Sequence, residues 1–299
     1  MMRILFIGSA NSSKFLLKKC FELKLNIVGV CSQKKSSNDD FCDLKKYFKL
    51  NNSLSIYTKN INSYKNYLWI KKKTPDLIFC FGWSQILNKN IIKLAKKMTI
   101  GFHPTELPKN RGKHPIIWSL VLGLKKTAST FFVIKNEKVD SGKIVSQRTI
   151  LISKSENASS LYKKIITTSC NQLGSFIKKI ENNIPLKFYK KKENESIYWR
   201  KRNYNDGRID WRMSATSIYN LVRALSKPYK NAIFIYKNKE IKILRAKIIK
   251  KKNNSLINNI EPGKILKKTN NYFDVKCGEG VIRILETSRF NYFQVNQYL

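Results

Sequence analysis

Acidic residues are scarce in this chain of 299 residues: 19 Asp and Glu stand against 59 Lys and Arg, a formal net charge of +40 at pH 7. One reading of the imbalance is a polyanionic partner such as tRNA or an acidic membrane surface. The other, which we prefer, is surface composition. Lys far outnumbers Arg, and Asn and Ile are abundant, as a strongly AT-rich genome writes at tolerant positions. The lysines are also spread from end to end, in short runs such as Lys71–Lys73, Lys190–Lys192 and Lys250–Lys252. A nucleic-acid site clusters Arg with aromatics instead. On either reading, non-specific affinity for polyanions rises at low salt.

Histidine is scarcer still, with two in the chain, and the six cysteines (Cys20, Cys31, Cys42, Cys80, Cys170, Cys277) form no CxxC pair. Zinc-ligand spacing is therefore missing and no metal is expected. Several cysteines lie inside apolar runs, where reduced core thiols of a cytoplasmic protein sit. No apolar run approaches the roughly 18–20 residues of a membrane helix, and Ile4–Ile7 behind Met1-Met2-Arg3 is too short for a signal peptide. We therefore expect a cytoplasmic protein without membrane insertion. No GxSxG occurs, which argues against a hydrolase working through a covalent intermediate. Gly8 follows the first apolar run, but the rest of GxGxxG is missing, so a nicotinamide site is rejected.

What is present reads as an α/β protein. Ile4–Ile7, Asn26–Cys31, Ile56–Tyr57 and Asp76–Phe81 are short apolar runs, with helical patterns at Lys14–Leu23 and Ser63–Lys73 between them. Continuous apolar strands alternating with helices predict a mostly parallel sheet covered on both faces. From Met98 a Pro/Gly/His/Arg-rich loop is expected, followed by a helix over Ile116–Leu124. Strands at Ala128–Ile134 and Lys143–Gln147 and a helix from Ser159 to Ile180 complete this part. The tail has a helix at Ala215–Leu225 and strands at Ala232–Tyr236, Glu240–Lys247, Gly263–Leu266, Phe273–Lys276 and Gly280–Leu285. That spacing suggests a small barrel of the oligonucleotide/oligosaccharide-binding (OB) type. The expected division is a main domain over 1–190, a linker over 191–205 and a small domain over 206–299.

Both histidines fall in the one loop that is dense in Pro, Gly and Arg: His103-Pro-Thr-Glu-Leu-Pro-Lys-Asn-Arg-Gly, then His114. Asp140-Ser141-Gly142 is a carboxylate in a tight turn between two strands. A His and an Asp on neighbouring loops of a parallel sheet would meet at its carboxyl edge, where ligands bind in open α/β folds.

This pair of motifs resembles the signature of the 10-formyltetrahydrofolate-dependent formyltransferases, a family that includes methionyl-tRNA formyltransferase and the nucleotide-sugar N-formyltransferases. Phe79-Cys80-Phe81-Gly82-Trp83 is similar to the strand and turn that line their folate pocket. Arg208-Ile209-Asp210-Trp211, Glu261–Leu266 and Gly280–Glu286 resemble their small C-terminal domain. The resemblance implies a Rossmann-like domain, 10-formyltetrahydrofolate as cosubstrate, His103 and Asp140 as catalytic residues, and Phe81, Gly82, Trp83, Ile86, Leu107, Pro108, Val139 and Asp140 around the folate. The family's catalytic set is Asn-x-His plus Asp, and here Gly101 stands at the Asn position. A backbone N–H, a water or His114 would have to supply the missing donor, and we expect His114 to share in catalysis.

The resemblance leaves the amine acceptor open. The tRNA enzymes carry a basic insertion after the second strand, whereas Ser32–Asp40 here is short and partly acidic. This favours a nucleotide-linked amino sugar. The alternative is initiator Met-tRNA, and a lesser alternative is an inactive basic binding protein on the same scaffold.

Overall fold

The structure is a computed structural model that describes residues 1–36, 39–188, 195–249 and 255–299. The expected boundary at 190, the start of the expected linker, Lys190–Lys192 and Lys250–Asn254 lie outside the described residues. The chain divides into two compact units: Met1–Pro115 with Lys126–Leu151 and Lys163–Arg200, and Ile116–Lys125 with Ile152–Tyr162 and Lys201–Leu299.

The first unit holds β1 (Arg3–Ile7), α1 (Asn11–Glu22), β2 (Asn26–Ser32), α2 (Leu44–Tyr47), β3 (Ser55–Tyr57), α3 (Tyr64–Lys72), β4 (Leu77–Phe81), α4 (Lys89–Ile92), β5 (Met98–His103) and β6 (Arg111–Gly112). After α5 (Pro115–Val121), which lies mainly in the second unit, come β7 (Lys126–Ile134), β8 (Ile144–Leu151), α6 (Ala158–Glu181) and β9 (Tyr198–Trp199). Seven strands form one sheet in the order β3-β2-β1-β4-β5-β7-β8. The first five are parallel, and β7 and β8 are antiparallel additions.

Successive side chains on a strand point to opposite faces, so the continuous apolar runs feed two cores. On one face Phe6, Phe79, Phe81 and Phe131 pack with Leu16 and Leu17 of α1 and Leu173 and Phe176 of α6. On the other, Leu5, Ile7 and Ile78 pack with Ile70 of α3 and Ile91 of α4. The one-turn helices α2 and α4 carry their own caps, Asp43 accepting from the Lys46 N–H and Asn88 from that of Ile91. They are too short to leave a periodic signal, and the sequence reading passes over them. It also reads Met98 onward as loop. The structure makes Met98–His103 the strand β5, because Thr99, Ile100 and Gly101 are buried between β4 and β7. Strand β8 runs to Leu151, beyond the expected Gln147.

The second unit contains α7 (Ala215–Ala224), β10 (Ala232–Tyr236), β11 (Lys239–Ile249), α8 (Ser255–Asn258), β12 (Ile265–Lys268), β13 (Phe273–Lys276) and β14 (Val281–Thr287). Its five strands form an antiparallel sheet ordered β10-β11-β14-β13-β12. No ladder joins β10 to β12 among the described residues; the segment after β14 fills that seam. Phe293 is fully buried, with ring centroids 5.9 Å from Phe234 of β10 and 5.0 Å from Phe273 of β13. The Ile265 N–H donates to the Gln297 carbonyl at 2.8 Å, and that of Leu299 to the Gly263 carbonyl at 3.0 Å. A barrel-like core results.

Candidate active site

His103 is the last residue of β5. Its Nδ1 lies 3.5 Å from Oδ2 of Asp140, and the pair is largely enclosed, with His103 only 6% exposed. Nε2 of His103 lies 3.0 Å from the Asn110 carbonyl oxygen. Both ring nitrogens therefore face acceptors, and a proton on either has a partner.

Asp140 does not come from the carboxyl end of a parallel strand. It sits in the hairpin between the antiparallel strands β7 and β8, at φ 46, a left-handed conformation that Asp tolerates better than most residues. The hairpin folds back across the sheet because Gly142 rides directly on β7. A Cβ at Gly142 would lie 1.5 Å from the Val133 carbonyl oxygen, so only glycine fits. The Gly112 N–H donates to Asp140 Oδ2 at 3.2 Å, which ties the strand β6 to the same carboxylate. Burial pushes the Cys80 thiol up to about 12, and the charge of Asp140 adds to that rise. The carboxylate thus lies within electrostatic reach of β4. Cys80 is in register with Gly101, and Gly101 with Phe132 of β7. Gly101 and His103, two residues apart, share that face.

The proposed folate residues separate into groups. Gly82 turns the chain at the end of β4 with φ 65. Trp83 follows it, half-buried against the α3/α4 core, and its Nε1 is buried without a hydrogen-bond partner among the described residues. Ile86 is 51% exposed and Val139 also reaches the surface. Lys113 bridges to this turn, its Nζ donating to the Ser84 carbonyl at 2.9 Å. Two side chains belong elsewhere. Phe81 is fully buried on the α1/α6 face, edge-on to Phe6 at 5.5 Å and Phe131 at 5.3 Å, so its ring is core and lines no slot. Leu107 is 2% exposed and packs with Phe132 and Ile144, again core rather than lining. Pro108 beside it is buried as well. The alternation of strand side chains explains why Phe81 is core, since it faces opposite to Cys80.

His114 is half-buried with φ 53, immediately before α5 and two residues beyond the Gly112 that holds Asp140. Four groups of the site stand outside the expected site residues: Cys80, the Asn110 carbonyl, the Gly112 N–H and Phe132. Three of these act through backbone or register, which side-chain motifs do not encode. Arg111, part of the His103 motif but assigned no role from the sequence, is 1% exposed and donates to the Tyr198 hydroxyl at 2.8 Å across the short β6–β9 ladder.

An open, mostly parallel sheet with a His–Asp pair and a glycine turn beside the ends of β4 and β5 defines an α/β protein with a candidate site at the edge where such folds bind ligands. Among the described residues no group of three or more His, Cys, Asp or Glu could hold a metal ion, and no helix is long and apolar enough to cross a membrane. Residues 2–177 match the family described as Formyl transferase, and residues 201–291 the one described as Formyl transferase, C-terminal domain. The chain belongs to the formyltransferase family.

Among its relatives, the bifunctional polymyxin resistance protein ArnA of Wigglesworthia glossinidia brevipalpis is 35% identical over 233 residues, 78% of this chain. The chain spans only 35% of the length of that relative. Methionyl-tRNA formyltransferase of Caldanaerobacter subterraneus subsp. tengcongensis is 28% identical over 293 residues, covering 95% of this chain and 91% of its own. The fold is shared with the N-formyltransferase of Helicobacter canadensis, solved in complex with folinic acid and dTDP-3-aminofucose. That match has a TM-score of 0.70 at 17% identity, over 96% of this chain and all of the other.

Proposed function

We propose that this protein transfers a formyl group from 10-formyltetrahydrofolate to the primary amine of a nucleotide-linked amino sugar. The observation that carries the reading is the enclosed His103–Asp140 pair beside the Gly82-Trp83 turn. The residues suit a folate. Trp83 offers an apolar face and a buried N–H in want of an acceptor, and a buried donor left unpaired costs about 1–3 kcal/mol. Gly82, Val139 and Ile86 offer backbone groups and apolar surface around it.

The reaction joins the amine nitrogen to the formyl carbon, passes through a tetrahedral oxyanion, and breaks the bond from that carbon to N10, which takes up a proton. His103 is assigned as donor to the oxyanion. Because Nε2 rests on the Asn110 carbonyl, donation requires the ring to exchange that contact for the formyl oxygen. Asp140 holds the ring and receives, directly or through it, the proton lost by the amine. Each positioned donor lowers the barrier by about 3–4 kcal/mol. No side chain at Gly101 can contribute, and His114 is assigned as the second donor.

The acceptor assignment has support in the segment after β2. Its described residues return to the β1–α1 turn, with the Cys42 N–H donating to the Ser9 carbonyl at 2.9 Å and the Asn11 N–H to the Asp40 carbonyl at 2.8 Å. A segment held this way favours a small acceptor over a tRNA arm. The second reading is formylation of initiator Met-tRNA, favoured by the near full-length match to the Caldanaerobacter enzyme. Formyl transfer to dTDP-linked amino sugars and to charged initiator tRNA, each across a salt series, tests the choice. Amino-sugar turnover that changes little with salt supports the first reading. Turnover on tRNA alone, falling by orders of magnitude as salt rises, replaces it with the second. No turnover on either leaves the inactive scaffold.

A further inference from the structure

The strand β3 lies at the outer edge of the sheet, and between it and α3 runs a cavity of about 780 Å3 that the formyl-transfer reading does not use. Four lysines, Lys45, Lys59, Lys65 and Lys72, line it, and no Asp or Glu does. None of the four forms an ion pair among the described residues. The nearby carboxylate, that of Asp43, is already engaged: it accepts the Tyr57 hydroxyl at 2.9 Å and the Lys46 N–H at 3.0 Å. The size falls in the range of small-ligand sites, roughly 300–1,000 Å3. A cavity with four positive charges and none opposed calls for a ligand with several negative charges.

Its position says which. Thr58, Lys59, Asn60 and Ser63 of the loop after β3 are among its lining residues, and that loop is stitched to the turn that follows Trp83. The Ile61 N–H donates to Gln85 Oε1 at 3.0 Å, Asn62 Nδ2 to the Ile86 carbonyl at 2.9 Å, and the Asn88 N–H to Asn62 Oδ1 at 2.9 Å. Gln85 Nε2 closes the seam on the carbonyl of Lys59, itself a lining residue. The basic cavity along β3 is thus one hydrogen-bonded loop away from the Trp83 turn. Isolated ammonium groups suit carboxylates spaced along a flexible chain, whereas a planar, bidentate site would use Arg.

We propose that this cavity receives an oligo-γ-glutamate tail on the folate cosubstrate, extending from the glutamate end of the molecule. The assignment rests on the folate reading above. Each exposed lysine–carboxylate pair is worth a factor of up to about five in affinity, and the contribution shrinks with salt. The triglutamate carries two more carboxylates than the monoglutamate, and two such pairs near that ceiling give it at least about a tenfold advantage at low salt.

Calorimetric titration with 5-formyltetrahydrofolate, as monoglutamate and as triglutamate, tests this at low and moderate salt. The wild-type protein should prefer the triglutamate at least about tenfold at low salt. In a Lys59→Ala/Lys65→Ala/Lys72→Ala variant the preference should fall to within about twofold, and Lys→Arg at the same positions should retain it. Equal affinity for the two forms, or an unchanged preference in the alanine variant, overturns the proposal. An alanine variant that keeps the glutamate preference but loses affinity for tRNA assigns the cavity to a phosphodiester backbone instead. If neither folate binds, the folate reading itself falls and takes this assignment with it.

Discussion

The ring of Phe132 occupies the space beside Gly101: a Cβ at residue 101 would lie 2.6 Å from Cζ and 2.9 Å from Cε1 of that ring. The two residues are paired across β5 and β7, and Phe132 is held from behind by Leu107 and Ile144. The missing side chain at Gly101 and the bulky ring opposite are thus one feature. Glycine stands here because phenylalanine has taken the volume next to His103 that a longer residue at 101 would need.

Restoring an asparagine at 101 should therefore fail by itself. Overfilling a packed site costs about 1–3 kcal/mol, so Gly101→Asn should lower the melting temperature and should not raise turnover. Adding Phe132→Ala should relieve the clash, leaving the double variant more stable than the sum of the single changes predicts. Simple additivity in calorimetric melts would mean that the ring moves aside freely.

Removing either member of the enclosed pair should cost far more activity than stability. His103→Ala and Asp140→Asn are each expected to lower turnover by at least about a hundredfold. Gly142→Ala should reproduce the Asp140 defect from a distance, since its Cβ cannot coexist with the Val133 carbonyl and the hairpin must lift. Near-normal turnover in His103→Ala or Asp140→Asn, measured alongside circular dichroism, removes that residue from the mechanism.

The parallel half of the fold is legible from apolar runs, because a strand buried on both faces announces itself without alternation. The pairing of His103 with Asp140 is legible from motif order. Which side of a strand each residue faces is not, and this is why Phe81 and Leu107 read as pocket residues and prove to be core. The route by which Asp140 arrives is equally hidden. It depends on β7 and β8 running antiparallel and on the close approach at Gly142, both set by long-range pairing rather than local sequence. Likewise the Gly101–Phe132 relationship needs the β5–β7 register before its two residues become neighbours.

The buried thiols predict a stability loss in mild alkali. Desolvation raises the thiols of Cys80 and Cys277 from 9.0 to about 12, and pushes those of Cys20 and Cys31 up as well. The folded state keeps these groups protonated while the unfolded chain ionises above pH 9. Their contribution is thus complete below pH 9 and is lost as pH rises toward the folded values. The slope is up to about 1.4 kcal/mol per pH unit for each thiol. Urea midpoints should be flat from pH 7.5 to 8.5 and fall between 9 and 10, below the main titration of the lysines near 10.4. Cys20→Ala with Cys277→Ala should flatten that fall; an identical slope in the variant would assign it to other groups.

Trp83 separates a binding residue from a packing one. Its ring is half-buried against the core that contains Leu5, Ile7 and Leu87, so truncation must cost stability whatever else it does. The informative change is Trp83→Phe, which keeps apolar surface on that core and deletes only the outer ring and the Nε1 donor. If Nε1 and the exposed edge of the ring serve the folate, KM for 10-formyltetrahydrofolate should rise about two- to tenfold, as expected for one lost hydrogen bond. The melting temperature should move by no more than a few degrees, and KM for the amine acceptor should stay put. Trp83→Ala should then lower the melting temperature and raise the folate KM together. A Trp83→Phe protein that melts early yet keeps its folate KM would make Trp83 a core residue. The N–H without a partner would then be an ordinary imperfection of packing, and the folate would have to dock elsewhere along the edge of β4.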